Sequence, residues 1–305
     1  MPTIQQTKFT SACPPVDEYH FHAYSGGGMQ VMALALLDKR ITVDRDLAQI
    51  VSACTSCGMC DVSCKFIMAA ERQEVILALK QHIFEAGFSL APNTEDKLAL
   101  TPWETGLKLK HLPESQADVL VIAGFGVKFD PLHAATARKL AQILQVSHVD
   151  FGILTDEPEI GIEAFWTGQH QAFEEQARLV TDRLNEGRVK TIVTLCGEDL
   201  GMLRSKYPRI GYVPNARVVH ASEFLLQLVH QRKLRLVNPV HKSVTYHDPC
   251  YLGRQCEPPQ FWQGEERQTH GVMRYFVPPK PINYGVNGVF DAPRQLLESI
   301  PGLNL

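Results

Sequence analysis

Apolar positions fall into two regimes along the chain. Up to about residue 90 they recur at helical spacing. Met29 to Leu37 is an apolar, helix-forming run after a Gly26-Gly27-Gly28 break, and two further helices are predicted over Asp44 to Val51 and Ala69 to Phe84. The last of these gathers Val75, Ile76, Leu77, Leu79 and Ile83 on a mixed apolar face. A polar stretch with Pro92, Pro102 and Pro113 then reads as a linker. Beyond it, short continuous apolar runs alternate with helical ones. Strands are predicted over Val119 to Ala123, Val149 to Leu154, Thr191 to Leu195 and Ser243 to Tyr246, and helices over His133 to Leu144, Ala172 to Leu184 and Glu223 to Val229. That alternation implies a parallel or mostly parallel sheet covered on both faces. Pro258, Pro259, Pro278, Pro279 and Pro281 mark an irregular insertion, read as a surface arm. Asp291 as N-cap and Pro293 in the first turn predict a closing helix, with no further strand after it.

The bulk numbers narrow the function classes. A chain of 305 residues suits two or three segments with real cores. A formal net charge of -3 offers no electrostatic reason to propose nucleic acid as a partner. The longest apolar run, Val31 to Leu37, is far short of a membrane span, and the polar start, Met1 to Phe9, shows no signal peptide. The expected location is cytoplasmic, or peripheral to a membrane-bound complex.

Cysteine placement adds the chemistry. Of eight cysteines, Cys54, Cys57, Cys60 and Cys64 crowd into eleven residues, and Cys13, Cys196, Cys250 and Cys256 are scattered. A secreted disulfide scaffold would be short and cysteine-dense throughout, so this distribution favours metal ligation in a reducing compartment. The spacing C-x2-C-x2-C-x3-C is the bacterial ferredoxin run, in which the fourth cysteine serves the other cluster. Two-residue gaps let consecutive sulfurs converge on one cubane, and Ser56 and Gly58 let the backbone curl around it. One 4Fe-4S cluster is therefore expected; a zinc site usually has two separated cysteine pairs. The run departs from the usual pattern where Lys65 stands in place of Pro.

The fourth ligand is open between two residues. Ala12-Cys13-Pro14 looks like the tail of an earlier run whose other positions, Thr3, Gln6 and Phe9, hold no thiol. Cys54, Cys57, Cys60 and Cys13 then hold the cluster, which is the preferred assignment. The alternative fourth ligand is Cys64, closing its own cluster.

Three further phrases carry a family resemblance. Ser25 to Arg40 resembles the segment joining two ferredoxin motifs in heterodisulfide-reductase-like proteins. Thr245 to Arg254, with His247-Asp-Pro-Cys250-Tyr-Leu-Gly-Arg254 as its most specific part, looks like the opening of a cysteine-rich CCG domain, and Gly288 to Arg294 with Ile300-Pro-Gly302 resembles its continuation. The resemblance spans nearly the whole chain. It implies an α+β multidomain fold: an N-terminal helical ferredoxin-like 4Fe-4S module (1–90), a linker (91–116), and CCG-type α/β domains with a mostly parallel sheet, the first degenerate (117–240), the second partial (241–305).

The family's noncubane ligands carry over poorly. Phe125 stands where a cysteine is expected, Glu159 and Ile160 where a pair is expected, and Cys196-Gly-Glu-Asp199 keeps one thiol of a C-x2-C. Cys250 is present without later paired cysteines. Cys196 and Cys250 are at most a partial second cluster, and a noncubane cluster is not expected in this chain alone. The resemblance implies an electron-transfer subunit of a heterodisulfide-reductase-like oxidoreductase complex, a relay more than a catalyst. It would pass single electrons between a partner dehydrogenase or flavoprotein and an acceptor, alongside other iron–sulfur subunits. The alternative is a catalytic thiol–disulfide reductase subunit whose remaining ligands come from a partner or a missing C-terminal part; a third reading is a structural subunit with a vestigial or zinc-filled site. Gly124-Phe-Gly126 lacks the third glycine of a dinucleotide fingerprint, because position 129 is Phe, and reads as a plain turn.

Overall fold

A computed structural model describes residues 13–68, 70–89, 100–271 and 273–305. The upstream positions Thr3, Gln6 and Phe9, Ala69, and much of the predicted linker lie outside the described residues. Packing divides the chain into two units, one of Met1–Asn93, Glu163–Gln171 and Gln260–Tyr284, the other of Thr94–Ile162, Ala172–Pro259 and Gly285–Leu305. No helix among the described residues is long and apolar enough to cross a membrane.

The first unit is mainly helical: α1 (Pro14–Tyr19), α2 (Gly26–Leu37), α3 (Arg45–Ser52), α4 (Met59–Met68) and α5 (Arg72–Glu85). Two of these starts follow from side-chain caps. Ser25 Oγ accepts from Gly28 N–H at 2.9 Å, and Asp44 Oδ1 accepts from Leu47 N–H at 2.8 Å. The three glycines expected to break the chain are thus the first turn of α2. Gly26 and Gly28 are there for closeness: a Cβ on Gly28 would lie 2.2 Å from the His22 carbonyl oxygen. Met29, Leu47, Ala48, Val51, Ile76, Leu79 and Ile83 form the core that joins α2, α3 and α5. Each such side chain contributes roughly 1.5–3 kcal/mol by burial where it is large.

The predicted irregular arm in this unit contains an antiparallel hairpin, Glu265–Thr269 against Met273–Val277. Trp262 meets the Phe276 ring edge-on at 5.3 Å, and Lys280 Nζ sits 3.9 Å from the Phe276 centroid. The Glu-Glu-Arg-Gln-Thr strand has no apolar alternation, which is why sequence pattern missed it.

The second unit carries a five-stranded sheet of β1 (Lys110–Leu112), β2 (Val119–Ile122), β3 (Phe151–Leu154), β4 (Thr191–Thr194) and β5 (Arg217–His220). Its order is β1-β3-β2-β4-β5 and every pairing is parallel. β2 and β3 are buried at every position, as strands covered on both faces must be. Val119, Val121 and Val193 pack with Ala137, Leu140 and Leu144 of the 131–146 helix and Phe224 and Leu228 of the 221–230 helix. The edge strands β1 and β5 are short and half polar, and the apolar pattern does not reveal them. The closing helix runs Asp291–Glu298, with Phe290 rather than Asp291 at its N-cap position. A last short strand does follow it: Leu303–Asn304 pairs parallel with Lys242–Ser243.

Candidate metal centre

The cysteine run divides between a loop and a helix. Cys54 and Cys57 lie in the turn after α3, while Cys60 and Cys64 stand one turn apart on α4. No helix is predicted between Val51 and Ala69 from the sequence; Met59–Met68 is helical. Ser56 (φ 53°) and Gly58 (φ 73°) take left-handed conformations, and these two reversals curl the loop.

Helix α5 holds that loop from beneath. Lys80 Nζ donates to the Cys54 carbonyl at 2.8 Å and to Ser56 Oγ at 2.9 Å. Gln73 Nε2 donates to the Ser56 carbonyl at 2.7 Å, and Gln73 N–H to Asp61 Oδ1 at 2.7 Å. Asp61 in turn pairs with Lys65 Nζ at 3.0 Å. Ser56 N–H points at Cys54 Sγ, 3.5 Å away. Burial lowers the Lys80 ammonium from its usual range, while neighbouring Cys54 raises it.

Cys13 joins this group from the start of α1. Its sulfur is reached by the backbone N–H groups of Val16 and Gly26, and it donates weakly to the Tyr24 carbonyl at 3.9 Å. Burial pushes its thiol up, the Val16 N–H pulls it down, and Cys54 and Cys57 push it up again. Cys60 is pushed up to about 12 by burial, then by Asp61, Cys54, Cys57 and Cys13. The four thiols Cys13, Cys54, Cys57 and Cys60 therefore lie within electrostatic reach of one another. Gly26 leaves room for Cys60: a Cβ there would fall 2.6 Å from Cys60 Cβ and 2.9 Å from its Sγ. Among the described residues no three His, Cys, Asp or Glu side chains converge tightly enough for a single metal ion. A cubane spreads its thiolates over its corners, so four neighbouring sulfurs around N–H donors fit an iron–sulfur cluster better than one ion.

The sheet unit shows a different environment. Cys196 lies just beyond β4, at the N-cap of the short helix Gly197–Gly201, and its Sγ donates to Glu198 Oε2 at 2.8 Å. Burial, then Asp199 and Glu198, push this thiol far up. Glu157 caps the turn after β2, accepting from Ala123 N–H at 2.8 Å and Gly124 N–H at 2.6 Å. A carboxylate thus occupies the amides that a phosphate would need after Gly124. Asp199 is buried with its Oδ2 lacking a hydrogen-bond partner among the described residues, and burial, then Glu157 and Glu198, raise it to about 8. Of the positions where cysteines were expected, Phe125 is half exposed and Ile160 is buried, its carbonyl accepting from Tyr207 Oη at 3.1 Å.

The turn after Cys250 packs on the glycines that follow Cys196: Cβ atoms on Gly197 and Gly201 would meet Leu252 and Tyr251 at 3.1 and 3.0 Å. Arg294 clamps Asp248 with two bonds of 2.6 Å and lies over Tyr246. Cys256 donates to the Leu252 carbonyl at 2.7 Å, and burial pushes it up to about 11. None of the eight cysteines forms a disulfide. Sequence reasoning passed over Lys80, Gln73, Glu157 and Asp199. Lys80 had a legible signal: it sits four residues after Ile76 and three before Ile83, a charge inside an apolar stripe.

Fold and thiols together define a class, a four-thiol helical unit combined with a parallel-sheet unit. Three relatives place it more closely. The chain is 30% identical over 247 residues, 74% of its length, to a probable membrane-anchored ferredoxin of Chromohalobacter salexigens. It is 24% identical over 93% of its length to the probable iron-sulfur-binding oxidoreductase FadF of Bacillus subtilis. It is 26% identical over 83% of its length to a subunit of the dihydromethanophenazine:CoB–CoM heterodisulfide reductase of Methanosarcina mazei. The matches span 35%, 39% and 58% of those relatives' own lengths. No protein-family model and no solved structure matches the chain. The chain is similar to iron–sulfur oxidoreductases and heterodisulfide reductase subunits, as its own phrases implied, and its relatives support an iron–sulfur cofactor.

Proposed function

We propose that this chain is an iron–sulfur electron-transfer subunit of a heterodisulfide-reductase-like oxidoreductase complex. Its helical module, ferredoxin-like in role, holds one 4Fe-4S cluster on Cys54, Cys57, Cys60 and Cys13. The observation that carries the reading is the folded run itself: Cys54 and Cys57 lie in the turn after α3, and Cys60 lies on α4 against Gly26 of α2. Cys64 stands one helical turn farther along α4 and is the alternative fourth ligand. When bound, such a cluster takes up and releases one electron at a time. The chain's own part is to gather the thiols through Gly26, to present N–H groups to them, and to brace the loop from α5.

The domain plan of a cluster module (1–90), a linker (91–116) and two CCG-type regions (117–240 and 241–305) belongs to the same proposal. So does cytoplasmic placement beside a membrane-bound complex, since one relative is described as membrane-anchored. Partner subunits carrying flavin or further iron–sulfur clusters would supply and accept the electron; one relative's name is that of a reductase subunit. A catalytic disulfide-cleaving role is the weaker reading, because Cys196 is hydrogen-bonded to Glu198 beside a buried acid.

Anaerobic preparation or reconstitution, followed by iron and sulfide analysis, tests the reading. About four irons and four sulfides per chain are expected for one cubane. Substantially more iron would point to a second cluster and the catalytic role; none after reconstitution would sink the proposal.

A further inference from the structure

Lys80 is an outlier in the helical unit. It is 2% exposed, although its side chain ends in an ionisable amine. Its hydrogen bonds go to two neutral oxygens, the Cys54 carbonyl and Ser56 Oγ. No carboxylate pairs with it among the described residues; Asp61, the nearby buried acid, is engaged by Lys65 and by the Gln73 N–H. A buried charge without an opposite partner is costly, and folded proteins rarely keep one. Both of those oxygens belong to the Cys54–Ser56 turn that opens the cysteine run.

We infer that Lys80 is the buried counter-cation of the cluster held through Cys54, and that its charge raises the potential at which that cluster takes an electron. The inference rests on the proposed cluster. Four thiolates around a cubane leave net negative charge in both oxidation states, and one electron more in the reduced state. A fixed positive charge against the Cys54 loop favours the more negative, reduced state, so removing it lowers the midpoint potential. Asp61, beside Cys60, acts in the opposite direction. Lys80 touches the loop and not the cluster, and is a positioning and tuning residue.

The test is Lys80→Gln and Lys80→Arg in the full chain, each reconstituted anaerobically and titrated with dithionite while the reduced-cluster EPR signal is followed. Gln keeps a donor for the Cys54 carbonyl and Ser56 Oγ but loses the charge; Arg keeps the charge. The expected result is a lower midpoint in K80Q, at wild-type iron content, and a midpoint near wild type in K80R. A wild-type midpoint in a fully loaded K80Q would overturn the inference. Should K80Q fail to hold iron, retention by K80R still shows a need for the charge, whereas loss in both variants shows a packing role and overturns it. A wild-type chain that binds no cluster would instead remove the reading on which the inference stands.

Discussion

Two cysteines, Cys60 in the helical unit and Cys196 in the sheet unit, sit in opposite company. Around Cys60 three more sulfurs come together, backbone N–H groups reach Cys13, and a buried ammonium braces the loop. Around Cys196 the neighbours are acids: Glu198 accepts its hydrogen bond, and Asp199 lies beside it with an oxygen that has no hydrogen-bond partner among the described residues. Burial raises both thiols, and Asp61 acts on Cys60 as Asp199 and Glu198 act on Cys196, but only the first group brings further thiols alongside. A thiol retained in a family position is weighed by the thiols that accompany it.

The largest effect that sharpens the contrast is on pH-dependent stability. Asp199 titrates near 8 in the folded chain, far above its ordinary range. The unfolded chain releases that proton first, so stability from this site is full below about pH 4 and is lost as pH rises toward 8. Asp199→Asn removes the loss. Its stability relative to wild type should grow by on the order of a few kcal/mol between pH 5 and pH 9, at up to about 1.4 kcal/mol per pH unit. Urea denaturation of the apo chain at several pH values measures it; a constant gap would place a charged, solvated Asp199 in the fold.

Next comes the close approach in the helical unit. Gly26→Val forces side-chain atoms onto Cys60, where even a Cβ has no room. A cost of about 1–3 kcal/mol is expected for such overpacking, together with reduced iron loading. Wild-type loading in G26V would mean that Cys60 need not sit against α2. Smallest is Cys196→Ser, expected to leave iron and sulfide content unchanged within error; a loss of iron there would overturn the contrast between the two regions.

How much was readable in advance follows the same physics. β2, β3 and β4 were legible because strands covered on both faces are continuously apolar, as in Val119 to Ile122. β1 and β5 were not, since edge strands such as Lys110–Leu112 carry polar residues and no period. The Gly26-Gly27-Gly28 run was misread because glycine weakens a helix on its own; the need for closeness to His22 and Cys60 appears only in three dimensions. The thiol run was plain in its spacing, whereas the proximity of Cys13 to Cys54 and Cys57 depends on the entry of α1. Glu157, after β3, and Asp199, on the short helix after β4, act on each other electrostatically, and no local pattern announces them.

The central claim is that four thiols, one of them far upstream in sequence, hold a single cluster. Parallel reconstitution of Cys13→Ala and Cys64→Ala, with iron, sulfide and reduced-state EPR measured for each, tests it most directly. Loss of the intact cubane in C13A with wild-type content and signal in C64A is the result predicted; a full cluster in C13A and its loss in C64A would contradict it.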